Sequence, residues 1–115
     1  MALSFACNHI DFKDLLTCSF DLNKTEYMLF RFLLDQEESL SVQQIGELTS
    51  RDRTTVQKAM KQLLAQDLVH KHQVNLEQGG YAFVYAIKDK AVVKQKMLSI
   101  VKQWYEQVVE EITKW

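Results

Sequence analysis

The sequence predicts an α+β fold, mainly helical, organised as one domain over residues 1–115. Three observations carry this. Apolar residues recur at helical spacing in four stretches before residue 67 and in a fifth after residue 88. Two β-rich runs, Leu68–Val74 and Tyr81–Ile87, flank a Gly79-Gly80 pair. The chain has no Pro and only three Gly, so little interrupts its helices. With 47% apolar residues it can bury a real core.

The expected elements follow in order. DFKDLLTC, about Asp11 to Cys18, sets Phe12, Leu15 and Leu16 on one helical face, within an N-terminal arm and helix of about residues 1–22. Asn23, with Glu26 three residues on, opens a second helix of about Lys24 to Glu37. Its Tyr27, Phe30, Leu33 and Leu34 suit a central core helix. Ser41 caps a third helix on Val42, Ile45 and Leu48, where Gly46 suggests a close helix crossing. After Thr49-Ser50-Arg51-Asp52 a fourth helix, about Arg53 to Gln66, buries Val56, Ala59, Met60, Leu63 and Leu64. Asp67 ends it where a Gly is usual. The two strands then form a hairpin, its Gly-Gly tip supplying positive φ. Residues 89–114 make one helix about 39 Å long at ~1.5 Å per residue.

From Leu40 to Tyr85 the order is helix, tight turn, helix, strand, Gly tip and aromatic strand: a helix-turn-helix followed by a wing, spanning about 23–87. Charge follows the same boundaries. Residues 1–50 carry three cations and eight anions, residues 51–102 ten and four, residues 103–115 one and three. The net of −1 therefore hides a basic block that begins with the fourth helix, and local positive potential is what nucleic acid requires.

On that helix Arg53, Thr54, Gln57, Lys58 and Lys61 fall within an arc of about 140° opposite the apolar face. Arg53 suits bidentate bonds to guanine and Gln57 to adenine; Thr54 and Thr55 suit phosphate or a thymine methyl. Arg51, Lys58 and Lys61 suit phosphate. The wing offers Lys71 and Gln78, with only a carboxylate, Glu77, as charge at its tip. Lys88, Lys90, Lys94 and Lys96 either extend this surface or form a solvated face. In the last helix Val93, Met97, Ile100, Trp104, Val108 and Ile112 form a stripe longer than one small domain covers. With Phe5, Phe12 and Leu16 it is expected to meet the same elements of a second chain.

LSVQQIGELTSRDRTTVQKAMKQLLAQDLV is similar to the helix-turn-helix of MarR-like and TrmB-like winged-helix transcription regulators. DFKDLLTCSFDLNKTEYMLFRFLL looks like the opening of the short archaeal members, and GGYAFVYAI resembles the TrmB-like wing. The Asp-x-Arg signature of the MarR-like wing is absent. The sequence also ends at Trp115, without the C-terminal sugar-binding domain of full-length TrmB proteins, so effector chemistry does not carry over. The resemblance implies the winged-helix fold, binding to double-stranded DNA, and a homodimer held by terminal helices.

Other classes find less support. No nucleophile elbow, phosphate-binding Gly loop or HExxH motif is present, so an enzyme is not expected. Cys7, His9 and Cys18 lack the paired spacing of a structural zinc site, and no metal or cofactor is expected. The same two cysteines could serve as a redox switch or as small buried apolar residues. Tyr27, Phe30, Phe32, Phe83, Trp104 and Tyr105 would line a pocket for a small-molecule effector, or serve as plain core. No apolar run reaches the ~18–20 residues needed to cross a bilayer, and the N-terminus lacks a signal pattern, which predicts a cytoplasmic protein. The competing function is a winged-helix protein-interaction module within a larger assembly, favoured by the acidic first fifty residues and by a wing tip without cations.

Overall fold

The computed structural model describes residues 2–5 and 8–115, with side chains from His9 onward. The elements are β1 (Ala2–Phe5), β2 (Asn8–Asp11), α1 (Phe12–Ser19), α2 (Lys24–Leu34), β3 (Leu40–Ser41), α3 (Val42–Thr49), α4 (Arg53–Ala65), β4 (Val69–Asn75), β5 (Tyr81–Ile87) and α5 (Lys90–Lys114). They divide into two compact units: Met1–Asp21 with Asp89–Trp115, and Leu22–Lys88.

In the unit of residues 22–88 each helix start is held by its own side chain. Asn23 Oδ1 accepts from the Glu26 N–H at 2.8 Å, and the Asn23 N–H donates to Glu26 Oε1 at 2.9 Å. Ser41 Oγ accepts from the Gln44 N–H at 3.1 Å, and the Ser41 N–H donates to Gln44 Oε1 at 2.9 Å. Both are reciprocal capping boxes. α2 stops at Leu34, short of the expected Glu37. Continuation would set Asp35, Glu37 and Glu38 in its last turn, where the helix dipole disfavours negative charge. α4 ends as expected at Asp67, which takes φ 58°. Its N–H donates to Leu64 C=O at 2.9 Å, and the Leu68 N–H donates to Leu63 C=O at 2.9 Å, the hydrogen bonds of a Schellman turn. Lys88 forms an ion pair with Asp67 at the same place.

The sheet runs β3-β5-β4, all antiparallel. β3 pairs only Leu40 with Tyr85 and Ser41 with Val84. Leu29, Phe30, Leu33, Ile45, Val56, Met60, Leu63, Leu68 and Val69 are almost wholly removed from solvent, and helices α2, α3 and α4 converge on this core.

Gly46 lies hard against the α3–α4 turn. A Cβ there would lie 2.8 Å from the carbonyl oxygen of Arg51. Its tightest neighbour is the backbone of the α3–α4 turn, with Val56 of α4 next at an ordinary 3.8 Å. The Arg51 N–H also donates to Gly46 C=O at 2.9 Å, and Ser50 between them is left-handed at φ 57°.

In the other unit, β1 and β2 form an antiparallel hairpin that the sequence reading did not anticipate. Leu16 and Phe20 at α1, and Val93 and Met97 on α5, are buried, and α1 packs on α5. Leu16, Val93 and Met97 thus belong to the chain's own interior, not to a surface offered to a partner. Phe12 stays exposed, and the side chain of Phe5 lies outside the described residues. Ile100 and Val108 are half-buried, whereas Trp104 and Ile112 keep 55% and 65% of their surface exposed.

Gly46→Ala should lower the free energy of unfolding by about 1–3 kcal/mol, because backbone must move to admit the methyl group. Urea denaturation followed by circular dichroism gives the value. A loss under ~0.5 kcal/mol would mean the turn yields freely.

Candidate nucleic-acid interface

The candidate surface is built on α4. Val56, Ala59, Met60 and Leu63 are buried, which leaves Arg53, Thr54, Gln57, Lys58 and Lys61 exposed on the opposite side. No carboxylate follows Asp52 within the helix. Three cations and the positive end of the helix dipole therefore act on one face.

Asp52 shapes that end. It caps α4 by accepting from the Thr55 N–H at 3.4 Å and from the Thr55 hydroxyl. The hydroxyl bond above all, with smaller help from backbone N–H groups and Lys58, holds the Asp52 carboxyl below its ordinary range. The Thr55 hydroxyl is thus committed to the cap. Arg51 is half-buried, and its guanidinium donates to Met28 Sδ on α2 at 3.3 Å. Arg53, by contrast, projects from the first helical position.

Lys71 lies on β4 with its ammonium 4.3 Å from the centre of the Phe83 ring, and Gln78 sits exposed in the hairpin tip. Lys71 therefore faces β5 as well as solvent.

Two hollows add residues that the sequence reading missed. One, open and about 660 Å³, is lined by Val42, Gln43, Gly46, Glu47, Ser50, Arg51 and Arg53. Gln43 Nε2 donates to Glu47 Oε1 there at 3.3 Å. Exposed polar residues four apart on α3 were the available signal. A smaller hollow brings Asn23, Thr25 and Glu26 beside Thr55 and Lys58. No sequence pattern pairs the start of α2 with the middle of α4; only the fold does. Among the described residues no cluster of three metal-ligating side chains occurs, and no helix is long and apolar enough to cross a membrane. Cys18 is exposed and free, while Cys7 lies outside the described residues.

Residues 16–91 match the family described as Sugar-specific transcriptional regulator TrmB. The chain belongs to the TrmB family. Two uncharacterized proteins of Methanocaldococcus jannaschii are similar to this TrmB-family chain. MJ1503 is 30% identical over all of the chain and 83% of its own length; MJ1082 is 35% identical over 88% of the chain and 82% of its length. Among solved structures, a possible transcriptional regulator from Methanosarcina mazei superposes with a TM-score of 0.92 at 24% identity, over 100% of this chain and 97% of that one. The MepR–DNA complex of Staphylococcus aureus gives 0.57 at 16% identity over 88% of this chain and 75% of that one. The fold is that of winged-helix regulators. As a TrmB-family member the chain is a transcription regulator and not an enzyme.

The Asp52 cap sets a pH dependence. A carboxyl whose folded pKa is depressed stabilises fully above its ordinary value of 3.8 and loses that contribution as pH falls through the folded value. Asp52→Ala should melt below the native protein at neutral pH, and the difference should close in acid, below about pH 4. Thermal melts across that range decide it; a gap that persists undiminished to about pH 2 would remove the carboxylate from the account.

Proposed function

We propose that this chain binds double-stranded DNA in a sequence-specific manner as a homodimer. The observation that carries the reading is the α4 face: Arg53, Thr54, Gln57, Lys58 and Lys61 exposed together on a helix whose other side is locked into the core. Arg53, at the first helical position, is the side chain proposed to read a guanine edge, with Gln57 one turn on beside it. Lys58 and Lys61 neutralise phosphates, Thr54 assists, and Arg51 contributes charge from behind. Gln78, with backbone N–H groups, would touch the backbone from the wing. That a structurally similar protein, MepR, is found in complex with DNA supports the reading.

The dimer is proposed to form through α5. Ile100, Val101, Trp104, Tyr105, Val108, Val109 and Ile112 leave a half-exposed stripe over the distal half of the helix. Charge gives the direction. Residues 88–102 carry five cations and one anion, residues 103–115 one cation and three anions. Antiparallel pairing lays Lys94 and Lys102 of one protomer toward the acidic end of the other, whereas parallel pairing sets like beside like. Phe12 borders the contact. Two recognition helices would then meet half-sites about 34 Å apart, or a multiple of that, on a roughly palindromic operator. A second reading, a protein-interaction module, draws on the acid at the wing tip.

Three outcomes follow. Log affinity for duplex DNA should fall steeply with log salt, with a slope of roughly −0.9 per phosphate neutralised, and Lys58→Ala and Lys61→Ala should each flatten it. Binding indifferent to salt would sink the DNA reading. Arg53→Ala should cost about 1–3 kcal/mol per half-site on the selected operator and relax one base position; an equal loss on random duplex would make Arg53 a phosphate contact. Sedimentation should show a dimer that Trp104→Asp or Ile112→Asp splits. Glu106→Lys with Glu110→Lys should weaken it, and Lys94→Glu with Lys102→Glu should restore it. A native monomer at micromolar concentration overturns the dimer and the palindrome together.

A further inference from the structure

The wing has a second surface. Across the hairpin Asn75 lies opposite Tyr81, Gln73 opposite Phe83, and Lys71 opposite Tyr85, so these six share one face. Tyr85, at the inner end, is buried at 7% exposure, but Phe83 keeps 40% and Tyr81 59% of its surface in solvent. The two outer rings meet edge to face, centroids 5.5 Å apart. The Lys71 ammonium stands 4.3 Å from the Phe83 centroid. Each outer ring has an amide directly across the ladder, and these six residues include no carboxylate. Glu77 lies in the tip, beyond the strands.

A hairpin does not need two half-bare rings in order to fold, so the face has the character of a contact surface. An apolar protein partner would have to bury an ammonium and two amides along with the rings, at a cost unless each found its own partner. A nucleotide meets all three groups at once. Its plane stacks on a ring, its edge offers donors and acceptors to an amide, and its phosphate meets the ammonium. In a duplex both faces of a base are already covered by its neighbours. Only unpaired bases present a free plane.

We propose that the wing face of Lys71, Gln73, Asn75, Tyr81 and Phe83 is a stacking platform for single-stranded DNA, distinct from the α4 face that meets duplex. It does not rest on the duplex reading. The test measures fluorescence anisotropy of a labelled thymidine strand about 15 nucleotides long, at low salt, with the full chain. Tyr81→Ala and Phe83→Ala should each weaken strand binding roughly tenfold, with Tyr81→Phe close to native and duplex affinity unchanged. An abasic strand of equal charge should bind the native protein at least about tenfold more weakly than thymidine; this comparison needs no variant and stands even if a substitution perturbs the hairpin. Equal binding of the abasic and thymidine strands, or no binding of either, overturns the platform. So do ring variants that change sedimentation while leaving strand affinity intact, which would make the face a protein contact. A chain that holds the strand but ignores duplex would overturn the duplex reading alone.

Discussion

The proposed recognition surface depends on one close approach. The carbonyl of Arg51 comes so near α3 that only a residue without a side chain fits at position 46. Closing that gap sets the turn: Ser50 goes left-handed, Arg51 hydrogen-bonds back to Gly46, and Asp52 is brought to the start of α4 as its cap. Ile45 and Val56, each wholly buried, lock the two helices on either side. The polar groups nearest the turn are thereby used in building it. Thr55 serves Asp52, and Arg51 leans on Met28. What remains outward is the row from Arg53 to Lys61, carried by a helix whose other side is locked into the core, a rigid mount of the kind the proposed base contacts would need.

The two compact units divide the surface chemistry. Residues 22–88 expose cations, amides and hydroxyls on α4, while the distal half of α5 exposes rings and aliphatic side chains. Among the described residues no group of three His, Cys, Asp or Glu side chains is placed to hold a metal ion, and the Asp52 carboxyl is held below its ordinary range. That shift comes from a helix cap.

Much of the fold was legible in the sequence because its signals are local. The Asn23–Glu26 and Ser41–Gln44 pairs announce helix starts, Asp67 marks an end, and YAFVYAI between Gly80 and Lys88 bounds a strand to the residue. The outward arc of α4 followed from periodicity. What escaped was non-local. β3 spans two residues and exists only through its pairing with Val84 and Tyr85. The β1–β2 pairing was not signalled, because the sequence between the two strands, Ala6-Cys7, has none of the Gly, Asn or Pro that marks a turn. In α5 a single stripe runs through Val93, Met97 and Trp104, yet the first two lie in the interior and the third does not. Spacing reveals that a face is apolar; it does not say whether the chain's own residues or another molecule cover it.

β4 lies at one edge of the sheet, and beside it β5 pairs on its other side only through Val84 and Tyr85 with the short β3. An open edge presents unpaired backbone groups to any passing strand. Here that edge reads HKHQVN, polar and partly cationic, and its side chains are exposed. Behind it sits YAFVYAI, uncharged, rich in aromatic and β-branched residues, and of the composition that forms cross-β stacks when released. β4 thus pairs one whole edge of that strand with polar residues. Loss of the β4 pairing would bare all seven residues of that strand as an edge open to another chain.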